Sequence, residues 1–333
     1  MYFEFFGVKE NPFSLIADPR FLYYSAAHCE AMAHLLYGVS ERRGLVLMVG
    51  AAGTGKTTVI CSTLEMLRTS RVLISLIPNP MIESSEELLR AALTGFGVSS
   101  GKYSTMELLD ILTRFLTQQV QRGRIPVLVV DEAQDIDKKV LGYIRLLSNL
   151  EFGGRKLLQI VLAGQPELGD RLAQPEYQAL HQRITVRCRL VPFDPSDTLK
   201  YLLARLNAAG GDGRPIFTFD AAEAIYLYSA GVPRVINMIA DNTLLAAYSR
   251  SEKTVDGPLV TAVANHLELV PVAAFAGKAG NIHASIMQAA ASWEEISKSV
   301  EAGKVPEALR RYVRELAVAR SDSPLRMSAN SGE

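Results

Sequence analysis

The sequence predicts an α/β domain on a mainly parallel five-stranded sheet, followed by a small all-helical domain and a helical tail. Three observations predict it. Five short runs are apolar and rich in branched residues: 45–49, 72–77, 127–130, 157–163 and 184–190. Helical patterns at 57–69, 85–96, 105–122 and 138–150 separate most of them. After Pro192 strand patterns cease, and 195–209, 220–229, 233–250 and 257–267 all read as helices, each beside a cap or breaker. Continuous apolar strands alternating with helices mark a sheet covered on both faces.

Taken in order, residues 1–44 form an N-terminal segment punctuated by turns at Asn11-Pro12 and Asp18-Pro19. A helix follows over 28–43, where Met32, Leu35, Leu36 and Val39 fall at helical spacing. The boundaries expected are 1–192 for the α/β domain including that segment, 193–270 for the small helical domain, and 271–333 for the tail. Two amphipathic tail helices are expected, one with Trp293, Ile296 and Val300, the other with Leu309, Val313 and Leu316, before a disordered end.

Bulk composition narrows the function classes. Of 333 residues, 48% are hydrophobic and 21% charged, which suits globular domains with their own cores. Lys+Arg and Asp+Glu both number 35, so the net charge gives no support for a protein that coats nucleic acid or a membrane surface, although a local basic patch stays open. Cys29, Cys61 and Cys188 are far apart and read as buried small hydrophobes in a reducing compartment. The histidines His28, His34, His181, His266 and His283 show no metal spacing. There is no secretory signal and no apolar run of the roughly 18 to 20 residues that a membrane span needs. A cytoplasmic chain is expected, reaching the inner membrane only through a partner.

Chemistry concentrates in two places. Gly50-Ala51-Ala52-Gly53-Thr54-Gly55-Lys56-Thr57, with Thr58 next, satisfies GxxxxGK[ST] between an apolar strand and a helix. Glycines let the backbone wrap a phosphate, successive N–H groups point into that nest, and the helix start adds positive dipole. Lys56 is the residue type that reaches the β- and γ-phosphates of ATP, and the Thr57 hydroxyl is the type that ligates Mg²⁺. The run 127–130 ends in Asp131 and Glu132, which places two carboxylates at the strand's end beside that loop. Asp131 is expected to hold Mg²⁺ and Glu132 to act as general base on the attacking water.

Three further polar residues are candidates. Gln165 follows the fourth strand and is placed to touch the γ-phosphate or the water; its bland alternative is a turn residue before Pro166. Arg183 precedes the fifth strand, where an arginine can reach a neighbouring subunit's γ-phosphate; Arg187 and Arg189 are competitors, and a surface ion pair is the alternative for each. Arg234, in Gly231-Val232-Pro233-Arg234, opens a lid helix and is placed to contact the γ-phosphate in cis; pairing with a nearby acid is its alternative. The aromatics Tyr2, Phe3, Phe5, Phe6 and Phe13 read as packing residues before adenine contacts.

Over residues 1–268 these features resemble the AAA+ superfamily, and within it the general secretion pathway protein A (ExeA-type) ATPases. The stretches that carry the resemblance are 2–15 with FFGVKENPFSL, 18–22 with DPRFL, 131–134 with DEAQ, 146–151 with LLSNLE and 157–168 with LLQIVLAGQPEL. The resemblance implies a three-layer P-loop sandwich with a helical lid. It also implies a homo-oligomer, ring or filament, in which one subunit's arginine completes the next subunit's site. Relatives serve secretion, pilus assembly and exopolysaccharide systems and, more distantly, transposition. The first expectation is therefore a Mg²⁺-dependent ATPase working on a protein partner of a secretion or export system. The alternative is an ATP-switched DNA-binding regulator of the transposition-ATPase type, which the overall charge does not support.

Overall fold

A computed structural model of the chain describes residues 2–16, 18–68, 71–78, 82–271, 279–291, 306–307 and 309–311. The tail helices expected around Trp293 and around Val313 lie outside the described residues.

Five parallel strands form the main sheet: β1 (Leu45–Gly50), β2 (Val72–Ile77), β3 (Ile125–Val130), β4 (Gln159–Gly164) and β5 (Ile184–Leu190). Their order across the sheet is β2-β3-β4-β1-β5. β1 is central, with Val49 opposite Gly164 of β4 and Gly50 opposite Leu190 of β5. Parallel pairing demands long crossovers, and helices supply them. One face carries α1 (Ala26–Ser40) and α2 (Lys56–Arg68); the other carries α3 (Ser85–Gly95), α4 (Thr105–Gln121) and α5 (Lys138–Leu147).

Alternation along each strand sorts side chains between the two layers. Val46, Met48, Val127, Val129 and Val161 bury against Leu35, Leu36, Val59 and Leu64 of α1 and α2. Leu45, Leu47, Leu128, Val130 and Leu162 bury against Leu89, Leu112 and Ile144 of the opposite helices. This is the expected three-layer sandwich. A short helix, α6 (Pro166–Leu172), follows β4.

The helical domain comprises α7 (Pro195–Ala208), α8 (Phe219–Ser229), α9 (Pro233–Ser249) and α10 (Gly257–His266). The tail helix α11 (Ala279–Ala291) joins it through Ile282 and Ile286. The first residues were expected to belong with the nucleotide domain, but their aromatics do not pack on the sheet. Tyr2, Phe6, Phe13 and Phe21 bury in the core of the lid helices. The Phe13 ring meets Phe217 edge-on at 5.8 Å, and the Tyr2 hydroxyl donates to Asp241. The reason is hydrophobic: four short helices leave an apolar seam, and aromatic side chains of the N-terminal segment fill it. The chain therefore passes lid, sheet, lid, and the site lies where the two cores meet.

Candidate active site

Residues 51–55 connect β1 to α2, so the loop starts at the sheet's carboxyl rim and ends at a helix N-terminus. Gly53 and Gly55 hold φ of +77° and +93°, a region that residues with a Cβ adopt only with strain. Space is as restrictive as torsion. A Cβ on Gly50 would sit 2.8 Å from the Leu190 carbonyl oxygen, and one on Gly53 would sit 2.7 Å from Arg234 Cβ.

Lys56 is 4% exposed, and its Nζ donates to the carbonyls of Gly50 at 2.9 Å and Ala51 at 3.3 Å. Among the described residues no carboxylate is in ion-pair contact with it. A buried ammonium satisfied only by carbonyls is a charge awaiting an anion. Thr54 Oγ1 donates to the Ala51 carbonyl at 2.8 Å and braces the loop from within.

β3 delivers the carboxylates. Asp131 is 2% exposed, with its N–H donating to the Ile77 carbonyl at 2.9 Å. The Thr57 hydroxyl donates to Asp131 Oδ2, which joins the two expected metal-site residues across the loop. The backbone turns sharply at Glu132, which takes φ +49°. That non-glycine left-handed residue is held by its N–H donating to Asp131 Oδ1 at 3.0 Å. Its carboxylate accepts from Gln134 Nε2 at 2.9 Å, and Gln134 Oε1 accepts from the Gln165 N–H at 3.0 Å.

Gln134 thus ties Glu132 to the end of β4, a role the sequence reading did not assign it. Its only sequence signal was its place in the DEAQ stretch. Gln165 itself is the residue preceding α6, and its side chain makes no capping bond there.

The lid touches the loop through backbone. The Arg234 N–H donates to the Gly53 carbonyl at 3.2 Å, and the Arg234 side chain is exposed. Among the described residues no acid forms an ion pair with Arg234. Between loop and lid lies a cavity of about 320 Å³, in the size range of small-molecule sites. Gly53 to Thr58, Glu132 and Arg234 line one side; Tyr23, Phe193, Tyr201 and Arg205 line the other. Arg205 is held by donating to the Pro12 and Ser14 carbonyls and lies over the Phe21 ring at 4.6 Å.

A second residue missed from sequence is His28. Its Nδ1 shares a 2.8 Å hydrogen bond with Ser25 Oγ, and its ring lies 5.2 Å from Phe193. Burial pushes its pKa down to about 4, against a smaller upward pull from the Thr54 backbone. It is a neutral strut between α1, the loop and the lid linker. A lone histidine on a helix face gives no sequence signal of such a contact.

Arg183 stands apart. Ile184 pairs with Leu45 and Leu190 with Gly50, so Arg183 lies at the opposite rim, about 20 Å of strand away from its own loop. Arg187 and Arg189 lie further along β5, both exposed, and Arg187 bonds His181 at 2.9 Å.

The lysine, hydroxyl and carboxylates therefore converge beside a loop shaped by glycine, with a lid docked on it. A family described as an AAA domain matches residues 39–172. General secretion pathway protein A of Aeromonas hydrophila is 43% identical over 261 residues, covering 78% of this chain and 47% of that protein. The chain belongs to the general secretion pathway protein A family of AAA+ proteins. It spans about half the length of that curated relative.

Solved structures agree on the fold. Cdc6p from Pyrobaculum aerophilum superposes with a TM-score of 0.62 at 16% identity, covering 94% of this chain and 90% of that one. The ORC2 protein of Aeropyrum pernix gives 0.58 at 13% identity, over 95% and 99% of the two chains. A chain of Drosophila ORC bound to DNA gives 0.59 at 16%, over 93% and 82%. In this chain the two residues found only in the structure, His28 and Gln134, brace the loop and the β3 carboxylate. Among the described residues no helix is long and apolar enough to cross a membrane.

Proposed function

We propose that this chain binds ATP and hydrolyses it with Mg²⁺, using lid movement to do work on a protein partner in secretion or polymer export. The observation that carries the reading is the buried Lys56 ammonium, bonded among the described residues to the Gly50 and Ala51 carbonyls beside the Thr57–Asp131 pair. A triphosphate offers that ammonium the anion it lacks, and the loop N–H groups and the α2 dipole favour the same charge. Bound at Thr57 and Asp131, Mg²⁺ would supply neutralisation of the β- and γ-phosphate charge.

Glu132 is the proton acceptor for the attacking water, and Gln134 orients its carboxylate. Gln165, at the end of β4, is assigned to touch the γ-phosphate or the attacking water. Arg234 would sense the γ-phosphate from the lid, because its backbone already rests on Gly53. Arg183 is assigned to the neighbouring subunit's site in a homo-oligomer, since its own loop is out of reach. The relative's name supports a secretion partner; the meeting place we assign is the cytoplasm, near the inner membrane.

Phosphate release by the purified chain with ATP and Mg²⁺ tests this. Equal release by wild type and Glu132→Gln would remove Glu132 as base. Arg183→Ala should keep ATP binding and lose turnover, and mixing it with Glu132→Gln should restore part of the activity. Confirmed mixed oligomers without restored activity would sink the trans assignment. The Glu132→Gln form, holding ATP, is also the bait for the partner.

A further inference from the structure

The zero net charge of the chain conceals a segregation. Each strand of the sheet is entered through arginine: Arg43 before β1, Arg71 before β2, Arg122 and Arg124 before β3, Arg155 shortly before β4, and Arg183 before β5. All five strands are parallel, so these residues gather at one rim, opposite the nucleotide loop. All six are exposed.

Backbone and side-chain contacts show that the row is continuous. The Ile125 N–H donates to the Arg71 carbonyl at 3.0 Å, and Arg42 Nη2 donates to the Arg124 carbonyl at 3.0 Å. Thr185 Oγ1 donates to the Arg43 carbonyl at 2.9 Å. Lys156 lies across from Gly44, with its side chain 3.8 Å from where a Cβ on that glycine would stand.

Acids do not match these cations. Among the described residues the ion pair formed at this rim is Lys156 with Glu151 at 2.6 Å; Arg43, Arg71, Arg122, Arg124 and Arg155 form none. Arg183 lies near enough to help lower the Glu151 pKa, after the larger effect of the Lys156 hydrogen bond. Helix C-termini at this rim favour a cation each, but that does not account for Arg155, which sits in a short hairpin. Arg71 also takes φ +67° and Arg42 φ +53°. Glycine would adopt those torsions without cost, so arginine at either position carries backbone strain.

We propose that this rim binds the phosphate backbone of duplex nucleic acid, independent of base sequence. The shape favours that partner over a lipid surface. Arg183 is left to the neighbouring subunit's site; the other five arginines form a row across four strands, about 14 Å long at the usual strand spacing, and a duplex presents one phosphate charge per roughly 1.7 Å of axis. A bilayer is a plane and is held best by a two-dimensional basic patch with apolar residues to insert. Guanidinium, which dominates the row, forks onto phosphate oxygens where lysine offers a point charge. The proposal does not depend on ATP hydrolysis, and it stands or falls without it.

The test is fluorescence anisotropy of a short labelled duplex of mixed sequence with the full chain, from about 50 to 200 mM salt. About five phosphate contacts should give log K falling against log salt with a slope near −4.5. The combined variant Arg71→Glu, Arg122→Glu and Arg124→Glu should bind at least about 100-fold more weakly, and should retain the wild-type rate of ATP turnover. The neutral triple variant Arg71→Gln, Arg122→Gln and Arg124→Gln should flatten the slope by about three. It serves if the charge-reversed protein does not fold by circular dichroism. No duplex binding by wild type at low salt overturns the proposal, as does binding that neither triple variant weakens. Capture of phosphatidylglycerol vesicles without duplex binding also overturns it and makes the rim a membrane face.

Discussion

At the carboxyl rim of the sheet stand Gly50, Asp131 and Glu132 around the loop that leads into Lys56 and Thr57; at the amino rim of the same strands stand Arg43, Arg71, Arg124 and Arg183. One rim is buried, glycine-shaped and cross-braced. The other is open, with long side chains exposed to solvent. Parallel topology makes both rims coherent, because every strand contributes its end to the same side. The difference teaches that precision was built at one rim and charge at the other. Side chains that must hold an atom are locked by neighbours, whereas side chains that meet a polyanion need only be numerous and exposed.

The largest effect should come from breaking the precise rim. Lys56→Ala removes the ammonium that burial has prepared for a phosphate. Truncating one partner of a buried, hydrogen-bonded charge pair costs about 2–5 kcal/mol, so ATP affinity should fall by roughly 30-fold to several thousand-fold by titration calorimetry. Unchanged affinity would mean that Lys56 serves the loop's own carbonyls and no ligand. Glu132→Gln should keep affinity and lower turnover by about 10²–10⁴ in a phosphate-release assay. The triple reversal at the amino rim should do neither, which sets the two rims apart by function.

Glycines sharpen the comparison at smaller magnitude. Gly53→Ala forces φ +77° on a residue with a Cβ and drives that atom to 2.7 Å from Arg234. The strain is on the order of 1–3 kcal/mol, and it should appear as a lower melting temperature together with weaker ATP binding, since the clash lifts the lid helix. Gly142, in the middle of α5, has nothing within 4 Å of its missing Cβ. Gly142→Ala should raise stability by about 0.5–1 kcal/mol. A loop variant as benign as Gly142→Ala would show that the lid does not rest on Gly53.

What the sequence disclosed follows the same division. The P-loop and the Asp131-Glu132 pair were legible because the chemistry needs residues adjacent in the chain, and adjacency survives without a fold. The strands were legible because burial on both faces leaves uninterrupted apolar runs. Gln134 was not singled out, because its partners, Glu132 and Gln165, come together only when β3 and β4 pair. The N-terminal aromatics were read as packing residues, but their place in the lid core required knowing that the chain passes the lid twice. The arginine row was present in the sequence as one arginine or more ahead of each strand, but a zero sum of charges gave no reason to align them. Only parallel order turns separate positions into a surface.

The finest distinction concerns His28, which supports the loop through the Thr54 backbone. Its pKa is held near 4 by burial, below the ordinary value of 6.5. Between those values the unfolded chain binds a proton that the folded chain does not, so stability from this group is complete above pH 6.5 and is lost as pH falls towards 4. Each unit across that window is worth roughly 1.4 kcal/mol. Urea unfolding at a series of pH values should therefore show wild type losing about 3 kcal/mol more than His28→Gln over the window. The glutamine amide can still bridge Ser25 and the Thr54 backbone, and it does not titrate. Parallel pH profiles for the two proteins would mean that the imidazole protonates freely in the fold. It would then not be the dry strut that joins α1, the loop and Phe193.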